Sequence, residues 1–209
     1  MQIWQNIVWI SSTSLIAAED NPAWNGLALA WVLMAFMLVA LGITAWRVWR
    51  AFQGLGAAPG PAWLTWSIPI LAVLGLGVSV YLTYVEATSA SAVCGPVGDC
   101  NAVQTSSYAR LFGLIPIGLI GTLGYVAILA AWVWQRLSAN GLVDFVPISI
   151  LGMAAFGTLF SVYLTYLEIF VIKAVCIWCL SSALIITLIM LAGLPPAAAW
   201  LSPVEEVEA

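Results

Sequence analysis

Four cysteines, Cys94, Cys100, Cys176 and Cys179, are the residues of this chain whose type and spacing suit chemistry. They fall into two local pairs, and the chain holds no histidine. Imidazole acid–base catalysis, His-ligated metal or haem, and Ser-His-Asp catalysis are thereby excluded. Thiol chemistry remains, as disulfides or as a four-thiolate metal site. Cys176-Ile-Trp-Cys179 is a C-x-x-C that opens an apolar run. At a helix N-terminus, unpaired N–H groups and the helix dipole favour the thiolate, the reactive form of cysteine. The spacing also lets the two sulfurs close a small disulfide ring. The other pair, Cys94-Gly-Pro-Val-Gly-Asp-Cys100, has two glycines and a proline in its spacer, which predicts a turn-rich, mobile loop. Mobility suits exchange, because an attacking thiolate must reach a sulfur of the other pair. Two readings without catalysis compete with this one. Two static disulfides would staple an outer loop. A zinc site would normally use a short C-x2–4-C on both sides, whereas one pair here has five intervening residues.

The elements that must position these pairs are membrane helices. Of 209 residues, 64% are hydrophobic and 7% charged, against about 25% charged in an ordinary soluble domain. So little charge cannot cover a water-facing surface, and the solvent must be lipid. Five basic residues exclude a nucleic-acid surface. Charge-free apolar stretches run over Trp24–Trp46, Trp66–Val85, Phe112–Trp134, Phe145–Leu167 and Cys176–Leu194. Each is close to the ~20 residues a helix needs to cross the hydrocarbon core. Pro69, Pro116 and Pro147 are expected in first turns, where a missing N–H costs little, and Pro195 and Pro196 to end the last span. Trp46, Trp49, Trp63, Trp66, Trp132 and Trp134 crowd the ends as an aromatic belt does. Gly118, Gly121 and Gly124 allow close helix approach.

Orientation follows from charge and from a repeat. Met1–Ala18 carries no Lys or Arg, so the N-terminus does not read as a cleavable signal. Arg47, Arg50 and Arg136 fall on one side, which the positive-inside rule makes cytoplasmic, while Arg110 and Lys173 fall on the other. The N-terminus is then outside, the C-terminus inside, and all four cysteines at the outer face, where disulfides persist. Ser79-Val-Tyr-Leu-Thr-Tyr-Val-Glu86 recurs as Ser161-Val-Tyr-Leu-Thr-Tyr-Leu-Glu168, and Ala92-Val-Cys94 recurs as Ala174-Val-Cys176 at the same offset. One span lies between the copies, so they run parallel and place Cys94 and Cys176 on the same side. Glu86 and Glu168 are expected as interfacial carboxylates at helix ends, with a proton-relay role as the alternative. Tyr81/Tyr84 and Tyr163/Tyr166 are expected in the belt or in packing, with a pocket-lining role as the alternative.

Taken in order, the loop pair, Val103, Ser106, Tyr108, Phe112-Gly113, Pro116, Gly121 and then Cys176-Ile-Trp-Cys179-Leu-Ser-Ser-Ala183 resemble the vitamin K epoxide reductase family in its bacterial form. The likeness covers about residues 66–193. The DsbB-type family shares the chemistry but carries its cysteine pairs in the reverse order. The resemblance implies an all-α integral membrane protein of five transmembrane helices, a four-helix bundle around a quinone plus one additional N-terminal helix. It implies an inner (plasma) membrane enzyme that reoxidises a soluble extracytoplasmic thioredoxin-like (DsbA-like) protein and passes electrons to ubiquinone or menaquinone. By motif position, Cys94 would exchange with the partner, Cys100 would exchange with Cys176, and Cys179 would face the quinone as the charge-donating thiolate. Ser106 matches a Ser/Thr position that helps hold the active site, and is a candidate cofactor contact. Relatives that reduce vitamin K epoxide have a Tyr where this chain has Ala183, which favours simple quinone reduction.

The expected organisation is an extracytoplasmic segment at 1–23, the additional helix with a cytoplasmic loop at 24–65, the catalytic domain at 66–193 and a cytoplasmic acidic tail at 194–209. The chain stops about 15 residues after the last span, so the thioredoxin-like partner is expected as a separate protein. No metal or nucleic-acid partner is expected. A non-catalytic membrane scaffold with two static outer disulfides is the alternative function. A small transporter is disfavoured because no charge is expected mid-span.

Overall fold

Five apolar stretches become five long helices in the computed structural model, which describes residues 26–55, 60–94, 98–111, 114–138 and 141–202. The expected 1–23 segment, the start of span one at Trp24, Phe112-Gly113 and the tail carboxylates Glu205, Glu206 and Glu208 lie outside the described residues. The long helices are α1 (Leu27–Phe52), α2 (Ala62–Thr88), α4 (Ile117–Leu137), α5 (Val146–Tyr166) and α6 (Ile177–Leu201), with a short α3 (Cys100–Gln104) in the cysteine loop. A π-helical turn, Leu167–Ile172, continues α5. All five long elements are long and apolar enough to cross a membrane, so the chain is an all-helical integral membrane protein. The one sheet among the described residues is a two-residue antiparallel ladder, β1 (Arg110–Leu111) against β2 (Ile115–Pro116), pairing Arg110 with Pro116.

Apolar burial does not bring helices together in lipid, whose tails are as apolar as leucine; close packing of small residues does. Ala30, Ala72, Ala154 and Ala197 are accordingly fully buried between helices. Helix α6 is the central one, with half of its apolar window buried. It packs against α5, α2 and α1, while α2 packs against α4. Helix α1 lies outside the four-helix group, with Ala30, Met34 and Met37 against Leu180 and Ala183 of α6.

Two expectations about proline are corrected. Helix α2 starts at Ala62, so Pro69 lies inside it rather than in its first turn. Helix α6 runs through Pro195 and Pro196 to Leu201 instead of stopping. An interior proline costs about 3 kcal/mol in an exposed helix. Here Leu194, Ala197 and Ala198 are buried, and a Cβ on Gly60 would lie 2.9 Å from Pro195 Cβ. Neighbouring segments hold the last turns in place, as they do for prolines in membrane helices. Pro116 and Pro147 do sit at helix starts. The third span begins at Ile117 rather than Phe112, because Ile115 and Pro116 pair as β2.

The bundle has two chemically distinct ends. At one, the Arg136 guanidinium lies 4.8 Å from the Trp66 ring and 5.0 Å from the Trp132 ring, and Arg50 stacks on Trp46. Phe145 and Trp200 meet at the same end. The other end carries the cysteines.

Candidate active site

The cysteine end is assembled by the two repeats and by the loop between α2 and α4. Cys94 and Cys100 form a disulfide, with Cα atoms 5.9 Å apart, and Cys176 and Cys179 are free thiols. Asp99 caps α3 by accepting the Ala102 N–H through its side chain at 3.0 Å, as an N-cap residue does. The Asp99 N–H donates to the Val175 carbonyl at 3.0 Å, and Gly98 bridges Cys176 as a single antiparallel pair. The backbone just before Cys100 is thus laid directly on the backbone of Cys176. All four cysteines belong to one packed cluster, in which Cys100 and Cys176 are fully buried. Repeat and loop bring together what sequence order separates by more than 70 residues. Of the spacer, Gly95, Pro96 and Val97 lie outside the described residues, and with them the expectation of a mobile turn.

The loop is clamped on the other side of Cys94. The Val93 N–H donates to the Tyr81 hydroxyl at 2.8 Å, and the Trp178 indole N–H donates to the Val93 carbonyl at 2.9 Å. The Tyr81 and Trp178 rings lie 4.9 Å apart. Tyr81 is therefore a loop anchor, while Tyr84, Tyr163 and Tyr166 are exposed. None of the four lines the main cavity.

Within the C-x-x-C, Cys176 is the N-cap of α6 and Cys179 is its third residue. The Cys179 N–H donates to Cys176 Sγ at 3.4 Å. Gln104, four residues after Cys100 on α3, points its amide at both sulfurs, 3.8 Å from Cys176 Sγ and 3.6 Å from Cys179 Sγ. The hydrogen bond from the Cys179 thiol, aided by the Cys179 N–H and the Gln104 amide, holds Cys176 below the usual thiol range although burial opposes it. The helix end was expected to favour a Cys179 thiolate. Its N–H is spent on Cys176 instead, because an N-cap side chain accepts from the third residue of its own helix.

Cys179 occupies a different position, on the wall of a cavity of about 240 Å³ lined by α2, α4, α5 and α6. The walls are mostly apolar, with Leu82, Ile128, Phe156, Phe160 and Ile186 among them. Polar groups enter at a few points. Tyr125 donates its hydroxyl to the Ser182 carbonyl at 3.0 Å, and Thr122 donates to Ser79 Oγ at 3.2 Å. Ala183 also lines this wall. Ser106 is elsewhere. It closes the end of α3 by donating to the Val103 carbonyl at 2.7 Å. It lines a smaller recess of about 40 Å³ under the loop, with Gln104 and Cys179.

Glu86 and Glu168 differ from expectation. They are 6% and 3% exposed, hence buried rather than interfacial, and both line the main cavity and the smaller recess. Each caps the helix that follows its repeat. Glu86 Oε2 accepts the Gly118 N–H at the start of α4 at 2.9 Å, and Glu168 Oε2 accepts the Cys176 N–H at the start of α6 at 3.3 Å. Carboxylates placed there meet the unpaired donors and the positive end of the helix dipole. The two copies then diverge. α2 stays α-helical past Glu86, whereas Glu168 sits in the π-helical turn, whose carbonyl accepts the Ala174 N–H at 3.2 Å. That turn folds the chain back so that Cys176 reaches its own repeat glutamate.

Sequence reasoning missed Gln104 and Tyr125. Gln104 had one signal, its position one helical turn after Cys100; Tyr125 had only its hydroxyl in an otherwise apolar span. Among the described residues no group of three or more Cys, Asp or Glu side chains is arranged to hold a metal. Residues 66–194, well over half of the chain, match the model of the Vitamin K epoxide reductase family.

Proposed function

The chain belongs to the vitamin K epoxide reductase family, helical membrane redox enzymes that act with quinones, and from that premise we propose that it is a thiol–quinone oxidoreductase supporting disulfide formation. Electrons enter at Cys94 from a soluble thioredoxin-like, DsbA-like protein, cross from Cys100 to Cys176, and leave through Cys179. The observation that carries this reading is the placement of Cys179 on the wall of the main cavity while all four cysteines share one cluster. Cys176 faces the loop disulfide and Cys179 faces the cavity, so the pair spans the two.

The cavity residues suit a quinone ring. Its walls are apolar, and hydroxyl and carboxyl groups enter at separate points of its lining, the pattern of a small-molecule site. A quinone, when bound, accepts two electrons and two protons. The chain's own part is to hold the dithiol beside that space and to keep Cys176 ionisable through its N-cap and Gln104 contacts. The catalytic unit in this reading is 66–193, with α1 added on the outside. The cysteine end is extracytoplasmic in a plasma membrane, with the N-terminus outside and the C-terminus cytoplasmic, because Arg47, Arg50 and Arg136 gather at the opposite end. Ala183, in place of the tyrosine of epoxide-reducing relatives, favours reduction of the quinone itself, ubiquinone or menaquinone.

Purified protein should reduce a soluble ubiquinone or menaquinone analogue when supplied with a reduced thioredoxin-like protein, and Cys179→Ser should abolish that reduction. Turnover that persists in Cys179→Ser would remove Cys179 from its role. A wild-type protein whose cysteines stay oxidised and indifferent to both reagents would indicate two static staples instead.

A further inference from the structure

We propose that Glu168 accepts the protons released when the Cys176–Cys179 dithiol is oxidised and passes them into the cavity, with Glu86 as the second carboxylate lining it. The inference rests on the thiol–quinone reading and deepens it. The step balances within the site. Two S–H bonds break, one S–S bond forms, two electrons go to the quinone, and the two protons go to its two oxygens.

Three observations support this. Glu168 lines the cavity beside Cys179 and also accepts the N–H of Cys176, so it adjoins both thiol residues and the space that would receive the proton. Glu86 enters the same cavity from α2, held by the Gly118 N–H at 2.9 Å. Among the described residues no ion pair holds either carboxylate, and Arg110 donates to the Glu86 backbone oxygen at 3.0 Å. A carboxyl group accepts hydrogen bonds when ionised and donates one when protonated, which is what a proton carrier requires. The other titratable groups around the pair are Cys176 and Cys179 at the start of α6, Tyr125 on α4, Tyr108 beyond α3, and Arg110 on β1. Lys173 follows the π turn and is exposed. The two glutamates occupy equivalent positions of the repeat, so each copy supplies one carboxylate to the cavity.

The test uses the full chain in detergent or nanodiscs. Glu168→Gln keeps the shape and an oxygen to accept the Cys176 N–H, but carries no exchangeable carboxyl proton. Thiol-driven reduction of a quinone analogue is followed against pH, and infrared difference spectra are recorded between reduced and oxidised C-x-x-C without quinone. The wild type should show a carboxyl C=O band that shifts in D2O. Glu168→Gln should lose this band, slow quinone reduction by about a hundredfold, the range of general acid–base catalysis, and flatten the pH profile. Glu168→Asp should restore part of the rate, and Glu86→Gln should show a smaller loss. A slower Glu168→Gln that keeps the band and the wild-type pH profile would mean a structural role only and would overturn the proposal. An unchanged rate would overturn it as well. A wild type that reduces no quinone at all would instead overturn the thiol–quinone reading.

Discussion

At the scale of single residues, the reactive end depends on what each sulfur accepts. Cys176 Sγ receives the Cys179 N–H and the Gln104 amide, and its thiol is held below the usual range. Lowering a thiol pKa extends the thiolate to lower pH, so removing a donor must move ionisation up. Gln104→Leu should therefore raise the midpoint of the thiolate absorbance titration of the reduced C-x-x-C. An unmoved midpoint would show that the amide contributes nothing. The four cysteines were legible in the sequence because their types and spacing have few other uses. Gln104 and Tyr125 were not, because a lone amide or phenol acquires meaning only once tertiary packing shows what it faces. Burial of Glu86 and Glu168 was hidden for a similar reason. A carboxylate closing an apolar run reads as the membrane boundary, and the loop that covers it folds back from elsewhere in the chain.

At the scale of elements, helix contacts are set by where a side chain has no room. A Cβ on Gly118 would lie 2.6 Å from the Thr83 backbone nitrogen and 3.0 Å from the Leu82 carbonyl carbon, atoms that cannot turn aside. On Gly121 it would meet the Ser79 side chain at 3.3 Å, and on Gly124 nothing within 4 Å. Alanine should therefore destabilise most at Gly118, by about 1–3 kcal/mol as overpacking does, and less at Gly121. At Gly124 it should be neutral or gain up to about 1 kcal/mol of helix propensity. Thermal unfolding in detergent reads this order, and a larger loss at Gly124 than at Gly118 would contradict the α2–α4 geometry. The sequence showed all three glycines as one motif and could not rank them. It likewise showed the five spans but misjudged their ends. Pro195 and Pro196 stop an isolated helix, yet α6 is the central helix and its last turns are held by neighbours.

At the scale of the molecule, the bundle is polarised, with arginines stacked on tryptophans at one end and thiols at the other. The positive-inside reading puts the thiols outside. A membrane-impermeant thiol reagent applied to intact, reduced cells should label Cys94, which is only half buried. Labelling of Cys94 only after lysis would invert the orientation. The parallel repeat was enough to predict that both pairs share one end; that they share one packed cluster depended on the Gly98–Cys176 bridge, which no local pattern encodes. The burial of that cluster has an electrical consequence. Cys100 and Cys176 have no exposed surface, and Cys179 opens toward the bundle interior. The proposed path from Cys94 to Cys179 would thus be sheathed along its length, with Cys94 as its outer terminal. Were the proposed relay to operate, a small dissolved thiol would meet it first at Cys94, in competition with the proposed partner protein, so leakage would be governed largely by access to one sulfur atom.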